Sequence, residues 1–192
     1  MQSLAFRKNE PDIRAGNPPT KYTRLLPYIT GKRILEIGSA EGVLALLLAR
    51  MGKQVTAIEK SEARHEEALT LYSDWLDREQ HLGKPRFVNG TIANNLHLLR
   101  NIDTLVAVRV IYYLRADLDR VFSEVAKNVS RIVLCGNGNR AARWRAGVKD
   151  EIGGPQNFYA SSEGMRELLQ RHGYCIECEV LEGDEIVVGV LG

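Results

Sequence analysis

The chain has 192 residues, 44% of them apolar and 26% charged, and 26 Lys+Arg against 24 Asp+Glu leave a net charge of +2. This is a soluble globular composition with enough chain for one domain and a sizeable core, and the near-balance of charge argues against holding nucleic acid through a long-range positive field. The longest apolar run, Val43 to Ala49, is far short of a bilayer span, and three cysteines make no disulfide framework. The N-terminal MQSLAFRKNEPDIRAG is charged and lacks an apolar signal core, so a cytoplasmic setting and no membrane partner are expected.

Residues 1–19 carry Pro11, Pro18 and Pro19 and read as a flexible leader, able to order over a ligand; 20–192 read as a single domain. KYTRLLPYI has helical spacing broken at Pro27. KRILEIG predicts a buried strand over 32–37 ending at Gly38, and VLALLLARMG a helix over 42–51 closed by Gly52. A second strand is predicted over 53–59, then a helix from Ser61, a plausible cap, to Arg78. A third strand (85–90), a short helix (92–99), a fourth strand (103–109), a helix (115–128) and a fifth strand (130–135) follow. A Gly-, Asn- and Arg-rich stretch runs from Gly136 to Ala160. SSEGMRELLQRHG predicts a Ser-capped helix closed by Gly173, and the last residues form two strands around Glu182-Gly183-Asp184.

Strands alternating with helices specify βαβ units and a parallel sheet. The final connection is too short for a parallel crossover, so the last strand runs antiparallel to its predecessor. The expected fold is α/β: a Rossmann-like, mixed seven-stranded sheet with helices on both faces and a C-terminal hairpin.

Glu36-Ile37-Gly38-Ser39-Ala40-Glu41-Gly42 lies between the first strand and the first long helix. Gly38 permits a sharp turn and close ligand approach, and the helix start is expected to offer free N–H groups. The loop lies beyond the carboxyl end of a central strand, where open α/β sheets bind ligands. Glu59, 21 residues after Gly38, is placed to accept hydrogen bonds from two ribose hydroxyls. The dinucleotide pattern Gly-x-Gly-x-x-Gly is absent; the spacing is Gly-x-x-x-Gly.

With the acidic residue two before the first glycine and the terminal hairpin, these residues resemble the class I S-adenosylmethionine-dependent methyltransferases over about residues 20–192. The family's Asp/Glu-x-Gly-x-Gly-x-Gly motif is matched at Glu36, Gly38 and Gly42 and departs at Ala40. The resemblance implies S-adenosylmethionine as cofactor. It implies that the loop, with Ser39 and Ala40, cradles the methionine moiety, that Glu36 orients its ammonium, and that Glu59, followed by Lys60, holds the ribose. Thr91 stands where relatives often place an acidic residue on adenine, and Ile92 would pack on the ring. Arg109, at the fourth-strand end, would lie near the methyl group, with Tyr112 and Tyr113 opening the next loop as further candidate catalytic groups. The segments VIYYLRADLD and FYASSEGMRELLQRHGY resemble, more loosely, a tRNA wobble-uridine methyltransferase branch and also small-molecule methyltransferases.

Arg140, Arg143, Arg145 and Lys149 surround Trp144, a basic patch that could grip a phosphate, a carboxylate or a stacked base, or else be a solvated helix face. Arg143, Trp144 and Tyr159 are the candidate substrate-binding residues. Cys175 and Cys178 have metal or redox spacing, but in a strand residues three apart point to opposite faces, and the four histidines (His65, His81, His97, His172) show no ligand spacing; no metal is expected. Three functions remain open: a methyltransferase acting on a small molecule, an anionic or saccharide-like one among the candidates; an RNA methyltransferase; and a non-catalytic relative. Loss of Glu59 is expected to weaken cofactor binding with little effect on fold stability. The oligomeric state is not encoded in these patterns.

Overall fold

In the computed structural model, which describes residues 4–79, 82–148 and 154–192, the chain divides into two units, Met1–Leu98 and Leu99–Gly192. His81 and Lys149 lie outside the described residues.

The segment expected as a loose leader holds a helix, α1 (Leu4–Arg14). Phe6 and Ile13, seven residues apart and therefore on one helical face, are fully buried. The helix is docked by long-range contacts that local patterns do not reveal. The Trp75 indole donates to the Ile13 carbonyl at 2.9 Å, and Arg14 pairs with Glu67 and Asp74. A one-turn helix, α2 (Thr20–Thr23), and a 3-10 turn at Leu26–Tyr28 containing Pro27 lead to β1 (Arg33–Ile37).

In α3 (Val43–Arg50) every residue from Val43 to Ala49 is buried. A helix apolar all round has no solvent face to offer and becomes a core element. It closes through Gly52, whose φ of +77° suits only glycine at little cost, and hands over to β2 (Gln54–Glu59). α4 (Glu62–Leu76) is amphipathic, burying Ala68, Leu71 and Trp75. Ser61 stands at its N-cap without a side-chain cap bond. β3 (Arg86–Asn89) completes a parallel set in which Ile37 lies opposite Ile58 and Glu59 opposite Asn89. The short helix expected over 92–99 is two 3-10 turns, Ile92–Asn94 and Leu96–Leu99.

The second unit pairs β4 (Ile102–Val108) parallel with β5 (Val129–Cys135). Between them α5 (Leu118–Asn128) buries Leu118, Val121, Phe122 and Val125, the i, i+3, i+4, i+7 stripe of a helix covering a core. The Gly/Asn/Arg-rich stretch contains α6 (Gly138–Arg145), capped by the Asn137 carboxamide, and a 3-10 segment at Gly154–Ala160. α7 (Ser162–Arg171) is capped by Ser161, as its sequence predicts. β6 (Tyr174–Val180) and β7 (Ile186–Leu191) form the terminal antiparallel hairpin, and β7 also pairs antiparallel with β5. The result is a mixed seven-stranded sheet of order β3-β2-β1-β4-β5-β7-β6.

A bulge in β6 corrects one expectation. Cys175 pairs with Val190 and Cys178 with Val188, because the register shifts between Ile176 and Cys178. Val188 and Val190 share a face of β7, so the two thiols share one as well. Both are free thiols, and among the described residues no group of three or more His, Cys, Asp or Glu could hold a metal. No helix among them is long and apolar enough to cross a membrane.

Candidate functional site

The loop from Gly38 to Gly42 turns on three left-handed residues, Gly38 (φ +69°), Ala40 (φ +49°) and Gly42 (φ +74°). Two are glycines; Ala40 holds this conformation against the clash of its own Cβ. Gly42 has a packing reason as well, since a Cβ there would sit 2.7 Å from the Phe87 ring and 2.9 Å from the Ala68 methyl. Its lack of a side chain therefore seats α3 against α4 and β3.

Four backbone donors of this loop, those of Gly38, Ser39, Ala40 and Gly42, are met by the chain itself. Gly38 and Ser39 both donate to the Ile58 carbonyl, and Gly42 to that of Ser39. Ala40 N–H donates to Glu59 Oε2 at 3.0 Å. Glu36 reaches from β1 and accepts the N–H of Ala45, acting as a remote cap for α3. What remains for a ligand is acceptor capacity. Glu36 Oε2 is buried without a partner. Burial, reinforced by the charge of Glu59, pushes the Glu36 carboxyl up from its ordinary 4.5 to about 8. A cation beside this buried acid would favour its ionised form.

Glu59 ends β2 almost fully buried. Its two oxygens accept the N–H of Ala40 and, at 2.8 Å, that of Ser61, so each keeps a lone pair for a hydroxyl. Lys60 beside it is exposed. Glu41, to which the motif assigns no role, is buried with Arg64 Nε at 4.0 Å. Thr91 is half-buried and its carbonyl accepts from the Asn95 carboxamide, while Ile92 is buried. Glu36, the Ser39-Ala40 turn and Glu59 are brought together by these contacts. They fit a nucleoside bearing an ammonium group, with carboxylates for the ammonium and the sugar hydroxyls.

The second unit arranges its candidates in separate groups. Tyr112 and Tyr113 lie in a 3-10 turn beyond β4, ring centroids 4.6 Å apart, Tyr112 buried and Tyr113 exposed. The Arg140 guanidinium stands 5.0 and 5.5 Å from the two ring centroids, in cation–π range. It donates to Asn157 Oδ1 at 2.9 Å and to the Tyr113 hydroxyl at 3.3 Å. Burial pushes the Tyr112 phenol up to about 12, and its hydroxyl accepts from the Asn137 carboxamide at 3.5 Å. Arg109 leaves β4 in a left-handed conformation (φ +55°) and pairs with Asp184 of the hairpin turn. Trp144 packs on Phe158 at 4.9 Å, and Phe158 on Tyr159 at 5.3 Å. The Tyr159 hydroxyl accepts from Arg171. Arg143 is exposed on α6.

The parallel set, the glycine-bearing turn after β1, the acid closing β2 and the terminal hairpin together define a Rossmann-like methyltransferase fold. A family model described as a methyltransferase domain matches residues 12–179. The chain belongs to that family. No curated protein matches the sequence. Among solved structures, the magnesium protoporphyrin IX methyltransferase of Synechocystis PCC 6803 with bound SAH is similar with a TM-score of 0.66 and 18% identity, over 90% of this chain and 81% of that one. A TehB-like SAM-dependent methyltransferase from Corynebacterium glutamicum gives 0.64 and 15%, over 97% and 96%. A protein solved in a study of disulfide-to-thioacetal conversion during echinomycin biosynthesis gives 0.61 and 21%, over 93% and 82%. At these identities the likeness is one of fold.

Proposed function

We propose that the protein transfers a methyl group from S-adenosylmethionine to a small anionic acceptor. In this reading Glu36 faces the ammonium, Glu59 the ribose hydroxyls, Ser39 and Ala40 the methionine chain, and Thr91 and Ile92 the adenine, with Lys60 at the rim. S-adenosylmethionine supplies an electrophilic methyl carbon activated by its sulfonium. The chain's own task is alignment and exclusion of water. Arg109, Tyr112 and Tyr113 belong to the acceptor side. Tyr112, a neutral phenol whose hydroxyl already accepts from Asn137, has its proton to offer the acceptor and is no base. An acceptor that arrives as an anion needs no base.

The observation that carries the small-acceptor reading is the fate of the basic patch on α6. Arg145 is paired with both Glu163 and Glu185, and Arg140 is committed to Asn157 and the two tyrosines. Cations paired in this way are poor counterions for a phosphate backbone, and with a net charge of +2 the chain has little field to add. Two of the structural neighbours are named for protoporphyrin methylation and for echinomycin biosynthesis, both small-molecule chemistries.

The test has two arms. Filter retention of tRNA at low and high salt is expected to give no salt-dependent binding. Transfer of labelled methyl groups to a panel of small carboxylates and phenolates is expected to give product. Retention at low salt that falls steeply as salt rises would replace the small acceptor with RNA.

A further inference from the structure

A cleft of about 470 Å³ opens in the second unit between the start of α6 and the β6–β7 turn. Its charged walls are Arg109, Arg145, Asp184 and Glu185, with Asn139 beside them. Gly138 and Gly183 bring the two backbones together. A Cβ on Gly138 would lie 2.5 Å from the Gly183 carbonyl, so only glycine lets the turn close on the helix.

The two guanidiniums are engaged to different degrees. Arg145 is held by four bonds: Nε and Nη2 donate to Glu163, and Nη1 and Nη2 to Glu185. Glu185 is buried and also accepts the N–H of Ser162. Arg109 is half-engaged. Its Nη2 pairs with Asp184 Oδ2, while its Nε is sealed from solvent and has no partner. The other Asp184 oxygen turns away to the Gly138 N–H at 3.3 Å.

A guanidinium offers Nε–H and Nη–H as a planar fork that matches two oxygens of one carboxylate or phosphate. Asp184 fills one prong and spends its second oxygen elsewhere. A buried donor left unmet is costly, which marks the fork as built for a fuller partner. The backbone beneath it is fixed: the Arg109 N–H is bonded to the Cys135 carbonyl at 2.7 Å, and its left-handed φ is a strain that the surroundings must enforce. Asp184 rides on a turn between two strand ends, next to Gly183 at φ +67°.

We propose that this cleft receives the carboxylate or phosphate group of the ligand, bidentate on Arg109, and that Asp184 is a built-in stand-in which that group displaces. The anion site itself stands on the second unit alone; naming the ligand as the methyl acceptor rests on the function proposed above. Removing the stand-in's charge frees the fork, and removing the fork abolishes the site. Succinate and inorganic phosphate serve as probes, titrated by calorimetry. Asp184→Asn is expected to bind one of them about tenfold more tightly than the wild type does, the equivalent of one charge-assisted hydrogen bond. Adding Arg109→Lys, which keeps the charge and loses the fork, is expected to cancel that gain. The probe that gains tells a carboxylate from a phosphate.

S-adenosylhomocysteine titrated into the same proteins keeps the two claims apart. Normal S-adenosylhomocysteine binding with no tightening of either probe in Asp184→Asn, or a gain that survives Arg109→Lys, overturns the anion site and leaves the methyltransferase reading standing. Failure of the wild type to bind S-adenosylhomocysteine counts against that reading instead. Should Asp184→Asn not fold, the Arg109 Nε–H resonance of the wild type, assigned by its loss in Arg109→Lys, decides the matter. It is expected to shift on addition of succinate or phosphate, and an unmoved resonance overturns the proposal.

Discussion

Glu36→Gln separates the electrostatic role of Glu36 from its capping role. The glutamine carbonyl can still accept the Ala45 N–H, but the titrating proton and the charge are gone. In the wild type, burial and the neighbouring Glu59 raise the Glu36 carboxyl from 4.5 to about 8. The unfolded chain releases this proton near the ordinary carboxylate value and the folded chain holds it until about pH 8. Across that window the folded state binds more protons, so stability falls as pH rises and levels off above about pH 8. The stability linked to this proton is fully present below the unfolded value and lost by the upper end of the window. A shift of that size corresponds to roughly 5 kcal/mol as an upper limit. Urea unfolding at about pH 5 and about pH 8 is expected to show the wild type losing roughly 2–4 kcal/mol more than Glu36→Gln between the two. The same carboxylate must ionise to hold an ammonium. S-adenosylhomocysteine should therefore bind the wild type more tightly as pH rises through the window, releasing a proton that calorimetry in two buffers detects. Glu36→Gln should bind it more weakly by roughly 1.5–3 kcal/mol at the upper pH, with no such release. Parallel stability curves for the two proteins, or equal S-adenosylhomocysteine affinities, would refute the assignment of Glu36 as a buried, cation-seeking acid.

Glu59→Ala is expected to cost roughly 1–3 kcal/mol in thermal or urea unfolding as well as cofactor affinity, because Glu59 anchors the N–H groups of Ala40 and Ser61. This revises the expectation of an undisturbed fold, and a variant as stable as the wild type would show those two bonds to be dispensable. Ala40→Gly should stabilise the protein by about 0.5–1 kcal/mol, the relief of a left-handed alanine (φ +49°) less the greater freedom of glycine in the unfolded chain. A melting temperature that stays or falls would mean that the loop does not hold that strain.

Much of the fold can be read along the chain, because strand and helix faces are local properties. Apolar runs such as ILEI and VTAI mark buried parallel strands, and the spacing of Val121, Phe122 and Val125 marks the inner face of α5. The short link between Val180 and Ile186 forces the last reversal. The Glu36–Gly42 turn is likewise visible, since glycines and acids at fixed offsets need only local backbone geometry. α1 is not legible along the chain although Phe6 and Ile13 carry the helical seven-residue spacing: its apolar face is thin, and its anchor is Trp75, 62 residues away. The β6 bulge was equally hidden, because one extra residue reverses a face without any signal in composition.

The sequence by itself determined the order of the strands, the mixed sheet with its terminal hairpin and the presence of acids at the ends of β1 and β2. Only the tertiary structure decided how each charge is satisfied. Glu36 caps α3, Glu59 ties down the N–H groups of Ala40 and Ser61, Arg145 is neutralised by Glu163 and Glu185, and Arg109 meets Asp184 from 75 residues away. Periodicity encodes which face of an element is apolar. It does not encode which side chains of two distant elements meet, and the state of a buried charge depends on that meeting.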